Sequence, residues 1–153
     1  MSDRIPNQTL SSKTSARKYA GVVLFTPDKK FILQKRENIP NITNPGKITL
    51  FGGTCLPKEH SLQCALREIK EELSVNLEVS FLKFLWRTTK IEEKEKVEVI
   101  VYVYTVPLPT NNLKLREGES IFLLPFLKID EERNLSYICK RSLIKTLLYF
   151  NKQ

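Results

Sequence analysis

The chain has 153 residues, of which 41% are hydrophobic, and a formal charge of +8. That length builds one ordinary domain, which buries about 70% of its unfolded surface, and no apolar run approaches the ~18 residues of a membrane-spanning helix. Three cysteines, Cys55, Cys64 and Cys139, form no metal-ligand spacing and leave one over in any pairing, which points to a reducing, cytoplasmic setting with each thiol acting as a small apolar residue.

Residues 1–17 are polar, rich in Ser and Thr, and basic. They are expected to form a flexible tail, an organelle transit peptide being the alternative, ahead of a domain over 18–153. Apolar residues over 19–25 and 31–34 flank the turn Thr26-Pro27-Asp28-Lys29-Lys30 and predict a hairpin. Residues 53–75 read as a glycine loop followed by a helix. Ser61 is then a candidate N-cap, and Leu62, Ala65, Leu66, Ile69 and Leu73 recur at the spacing of one buried helical stripe. Two β-rich runs, 81–88 and 97–106, are separated by a charged turn over 90–95. In the second, Val97, Val99, Val101 and Val103 form an apolar face opposite the mixed face of Glu98, Ile100, Tyr102 and Tyr104. A last helix is predicted over about 136–151.

The helix after the glycine loop carries Glu68, Glu71 and Glu72 at i, i+3 and i+4, with Cβ atoms roughly 5–6 Å apart. Three carboxylates so close repel one another, which raises their pKa values and costs stability unless a cation neutralises them. Hard oxygen donors select Mg²⁺, Mn²⁺ or Ca²⁺. The competing interpretation is a solvated acidic face on which Arg67 and Glu71 form an ordinary i, i+4 ion pair. His60 is the only histidine, so no triad with another histidine is available, and its place beside Ser61 suits a surface residue at the helix start.

The segment as a whole resembles the Nudix box, Gly-x5-Glu-x7-Arg-Glu-(apolar)-x-Glu-Glu-x-Gly-(apolar), through Gly53, Glu59, Arg67, Glu68, Ile69, Glu71, Glu72 and Val75. Ser74 stands where the family usually has glycine, at a helix-terminating position that favours positive φ. The flanks are similar to the MutT-like branch: 47–53 to the strand entering the glycine loop, with Phe51 in place of a common proline, 31–36 to the second strand, and 116–119 to a segment that contributes a further metal-binding glutamate. The resemblance implies an α/β/α sandwich, with a mixed β-sheet between helices, and hydrolysis of a nucleoside diphosphate linked to another group with Mg²⁺ or Mn²⁺ as cofactor. It implies metal ligation by Glu68, Glu71, Glu72, the Gly52 carbonyl and Glu117, with Glu119 the competitor for the last place. Glu68 is either a ligand or the base that deprotonates water. Arg67 holds a box glutamate by charge-assisted hydrogen bonding, Glu59 is an outer contributor, and Gly53, Lys35 and Arg36 contact substrate.

Substrate identity is less strongly marked. Residues 87–92 lack the proline or tyrosine that follows the box in many ADP-ribose and dinucleoside polyphosphate hydrolases. Residues 35–40 distantly resemble nucleotide-sugar hydrolases, a branch that loses a box glutamate retained here. Cleavage of a nucleoside triphosphate to monophosphate and pyrophosphate is the favoured activity, with oxidised dGTP one candidate, although 134–140 offers no convincing asparagine to read the oxidised base. The rivals are a nucleotide-sugar hydrolase, an RNA 5′-pyrophosphohydrolase, and a non-catalytic ligand-binding regulator. The positive charge suits steering of small polyanions. A nucleic-acid partner is the lesser alternative because no nucleic-acid-binding motif accompanies that charge. No membrane partner is expected, and the protein is a monomer or a homodimer.

Overall fold

A computed structural model describes residues 17–42, 45–115 and 119–153. Seven strands form one mixed sheet: β1 (Lys18–Phe25), β2 (Lys30–Arg36), β3 (Ile48–Thr49), β4 (Phe51–Thr54), β5 (Leu82–Glu92), β6 (Glu95–Tyr104) and β7 (Glu119–Pro125). Among the described residues the α-helices are α1 (Ser61–Leu73) and α2 (Tyr137–Asn151).

Strand β1 is the hub. Its residues 19–22 pair antiparallel with β4, its far end with β2, and its other edge runs parallel to β6. Alternation along β1 sends Ala20, Val22 and Leu24 to one face and Val23 to the other. The first face packs on Cys64, Ala65, Ile69 and Leu73 of α1, and the second shares a core with Cys139 and Leu143 of α2. Two apolar cores therefore lie on opposite sides of one sheet, which is the expected α/β/α sandwich. Each fully buried aliphatic or aromatic side chain contributes about 1.5–3 kcal/mol.

Several local expectations change. The supposedly mixed face of β6 is also buried, because Ile100, Tyr102 and Tyr104 belong to the α1-side core. The turn between β5 and β6 is tighter than 90–95: both strands continue to Glu92 and Glu95, and Glu93 and Lys94 turn the chain with φ of 52° and 67°. Two successive left-handed residues match the right-handed twist of a two-residue hairpin. Strand β7, which pattern reading does not single out, pairs with β2 over seven residues and covers its second edge. Near a bulge in β5, Trp86 donates its indole N–H to Ser142 Oγ at 2.8 Å and ties α2 to the sheet.

Candidate active site

The glycine loop meets α1 because β4 is buried against β1 directly before it. Gly52 has φ of 153°, and a Cβ there would collide with the Ala20 carbonyl. At Gly53 the obstacle is the Glu68 carboxylate, which lies against the glycine's backbone so closely that a Cβ would overlap it. Gly52 is therefore required for both space and backbone conformation, whereas at Gly53 the neighbour is a carboxylate tip that Arg67 holds in place.

At its start, α1 corrects one expectation. His60 is the N-cap, its Nδ1 accepting from the Leu62 N–H at 3.1 Å. Ser61 is the first helical residue, buried, with its hydroxyl 2.7 Å from the Tyr102 hydroxyl. At the other end Ser74 adopts φ 59° and ψ 36°, the left-handed conformation for which the family's glycine suits this position.

Arg67 is the centre of the acidic cluster. Its Nε and Nη2 each donate to Glu59 at 2.9 Å in a two-pronged pair, Nη1 donates to Glu68 at 2.9 Å and to Glu71 at 3.3 Å, and Nη2 also reaches the Thr54 carbonyl at 3.2 Å. One guanidinium thus binds three carboxylates and the end of the glycine loop, a task for which its planar fork is suited. These bonds hold the Glu59 carboxyl down at about 2 and push Arg67 further up from its already high value. Glu68 is raised chiefly by burial, against the opposing pull of Arg67, with the Glu71 charge a smaller contribution. Mutual repulsion, expected to be the main cause, is thus secondary for Glu68. Glu59, the expected outer contributor, is held by two 2.9 Å bonds from Arg67 and so anchors that guanidinium.

Glu72 has a different neighbour. Its Oε2 accepts from Gln34 Nε2 at 2.9 Å, while Gln34 Oε1 accepts from Thr49 Oγ1 at 3.4 Å. Gln34 is buried on β2, next to the β3 pairing. Sequence patterning did not single it out. Its only signal is a polar residue directly after the apolar run Phe31-Ile32-Leu33, where a buried amide requires partners.

Beside the loop lies a pocket of about 390 Å³, bounded by Gly52, Gly53, Arg17, Tyr19, Arg36 and the first turn of α2. Arg17 is paired with Glu92 at 2.8 Å, and Lys90 Nζ stands 5.7 Å from the centre of the Tyr19 ring. Burial keeps the Tyr19 phenol well above its ordinary pKa and therefore protonated. Of the two expected basic contacts, Arg36 reaches this pocket, whereas Lys35 lines only a second cleft that shares Arg36. Glu117 lies outside the described residues, and Glu119 opens β7.

Cys55 and Cys64 are joined by a disulfide, with Cα atoms 5.2 Å apart. This corrects the expectation of three independent thiols. Neighbourhood in the fold, with Cys55 just after β4 and Cys64 at the second turn of α1, brings together two residues that spacing alone leaves unpaired. Cys139 remains a free, buried thiol, pushed up to about 12 by burial.

The mixed sheet with its glycine loop and box helix has clear counterparts among known proteins. The NUDIX domain family matches residues 16–143, and the chain belongs to that family, as a Nudix hydrolase that cleaves phosphoanhydride bonds. Among solved structures, it is similar to the MutT protein from Methanosarcina mazei Go1, with TM-score 0.71, 20% identity, and coverage of 89% of this chain and 95% of that one. An Ap4A hydrolase from C. elegans has TM-score 0.69 and 18% identity, with 89% and 98% of the two chains covered. The NUDIX domain of Shewanella oneidensis NrtR, solved with ADP ribose, has TM-score 0.67 and 17% identity over 87% of each chain. No curated protein matches the sequence. Among the described residues no helix is long and apolar enough to cross a membrane.

Proposed function

We propose that this hydrolase converts a nucleoside triphosphate to monophosphate and pyrophosphate, with Mg²⁺ or Mn²⁺ held by Glu68, Glu71, Glu72 and the Gly52 carbonyl. The observation that carries this reading is the Glu68 carboxylate lying against Gly53, a glycine that together with Arg36 lines the neighbouring pocket. The donor set is all oxygen and fits a hard divalent ion. When bound, such an ion neutralises phosphate charge and lowers the pKa of an attacking water.

The chain's own groups supply the rest. Arg67 fixes Glu68 and Glu71 in place, and Glu59 fixes Arg67. Glu68, raised by burial, is a stronger proton acceptor than an exposed carboxylate, which suits it to take a proton from water. Arg36 supports the phosphates from the pocket side, and Tyr19 with Leu50, Val97 and Val99 offers the nucleoside an aromatic and apolar surface. Glu117 is proposed as a further carboxylate on the 116–119 resemblance alone. The domain is proposed to span 18–153, in a cytoplasmic setting.

A second reading, an RNA 5′-pyrophosphohydrolase, draws on the cleft of Lys35, Arg36, Asn38 and Asn134 beside the pocket, which offers basic groups to a longer chain. The deciding experiment incubates the protein and Mg²⁺ with nucleoside triphosphates (oxidised dGTP included), dinucleoside tetraphosphate, ADP-ribose, nucleotide sugars and triphosphorylated RNA, and resolves the products. Turnover to nucleoside monophosphate and pyrophosphate is expected. Preference for the RNA would move the assignment to the second reading, and preference for any other substrate would overturn both. In the same assay Glu72→Gln is expected to lose roughly 10²-fold or more in rate, and full turnover by the folded variant would remove Glu72 from the site.

A further inference from the structure

The disulfide lies inside the acidic cluster's own scaffold. Cys55 stands two residues beyond Gly53, and Cys64 one turn before Glu68. Between them, residues 56–60 fold into a tight turn closed by Glu59 N to the Leu56 carbonyl at 3.0 Å and by Leu56 N to Glu59 Oε1 at 2.9 Å. The two sulfurs and a Glu59 carboxylate oxygen lie within 4.8 Å of one another, and Arg67 Nη2 is 4.0 Å from Cys64 Sγ. The sulfur bridge therefore closes the same small loop that carries the anchor of Arg67.

We infer that Cys55 and Cys64 form a reversible thiol–disulfide site for low-molecular-weight thiols and disulfides, and that its redox state sets how firmly the enzyme binds its divalent cation. This rests on the proposed metal role of Glu68, Glu71 and Glu72.

The chemistry balances as a two-electron exchange. Cys64 is fully buried and Cys55 only partly so, so an external thiolate attacks the Cys55 sulfur. The protein S–S bond breaks, a mixed disulfide forms on Cys55, and Cys64 leaves as a thiolate beside the Arg67 guanidinium and takes up a proton. A second thiolate then attacks the mixed disulfide, releasing Cys55 and the external disulfide. In reverse, one external disulfide oxidises the pair and is reduced to two thiols. Cys139, buried and with its thiol pushed up to about 12, takes no part, which explains the odd cysteine.

With the bond closed, the loop holds Glu59 on Arg67, and Arg67 holds Glu68 and Glu71. With it open, the loop loses its covalent constraint, the clamp loosens, and the carboxylates are less well placed before the cation arrives. Groups that orient metal ligands typically change metal affinity or activity 10- to 100-fold when disturbed.

The experiment compares full-length protein equilibrated with glutathione disulfide and with dithiothreitol. Thiols counted after denaturation should number one in the first case and three in the second. The Mg²⁺ concentration for half-maximal activity should rise roughly tenfold on reduction, with little change in rate at saturating Mg²⁺, and the melting temperature should fall by about 5 °C. Cys55→Ser and, independently, Cys64→Ala should behave like the reduced protein under both conditions. Three thiols after glutathione disulfide treatment would overturn the site, and equal Mg²⁺ dependence in the two verified states would overturn the coupling. Thiol count and melting shift do not depend on catalysis, so they stand apart from any failure of the proposed metal site, which Glu72→Gln tests.

Discussion

Glu59→Gln isolates the anchoring role of one carboxylate. The substitution keeps the side chain's size and its acceptor for the Leu56 N–H, but removes the charge that Arg67 grips through two 2.9 Å bonds. The Glu59 carboxyl is lowered from 4.5 to about 2, and a shift of that size corresponds to about 3.4 kcal/mol at 1.36 kcal/mol per unit. Screening at a site whose arginine side chain is one quarter exposed reduces this to about 2 kcal/mol. Because the folded-state pKa is depressed, the contribution is complete above the unfolded value of 4.5 and is lost as pH falls through about 2. Urea unfolding of wild type and Glu59→Gln should therefore show a gap of about 2 kcal/mol at pH 7, shrinking to less than half of that at pH 3. A gap of equal size at both pH values, or none at pH 7, would refute the anchoring argument.

Gln34→Leu should raise the Mg²⁺ requirement roughly tenfold with little loss of maximal rate, because the amide that holds Glu72 is gone. Unchanged metal dependence in a folded variant would show that Gln34 is only a core residue. Ser74→Gly relieves a left-handed cap at φ 59° and should stabilise the protein by about 0.5–1 kcal/mol, the left-handed penalty less the entropy of glycine, read as a higher melting temperature. Mg²⁺ should itself raise the melting temperature in a concentration-dependent manner, by the equivalent of about 2.7 kcal/mol at 100 times its dissociation constant. Glu72→Gln should blunt that rise, and an identical rise in the variant would place the cation elsewhere.

The box was legible in the sequence because its requirements are local. One helical turn separates Glu68 from Glu71 and Glu72, glycines precede them, and a left-handed cap follows, even when serine fills it. Alternation along β6 likewise announces a strand, since a period of two is a property of the strand itself, and β1 reads as a continuous apolar run. What the pattern could not reveal depends on which strands become neighbours. The mixed face of β6 is a core face because α1 covers it. Strand β7 exists as a partner for β2, Gln34 meets Glu72 across 38 positions, Lys35 and Arg36 part company because successive strand side chains diverge, and Cys55 finds Cys64 because the glycine loop folds back on α1. These contacts are fixed by burying two apolar faces on one sheet at once, a condition no single segment of the chain contains.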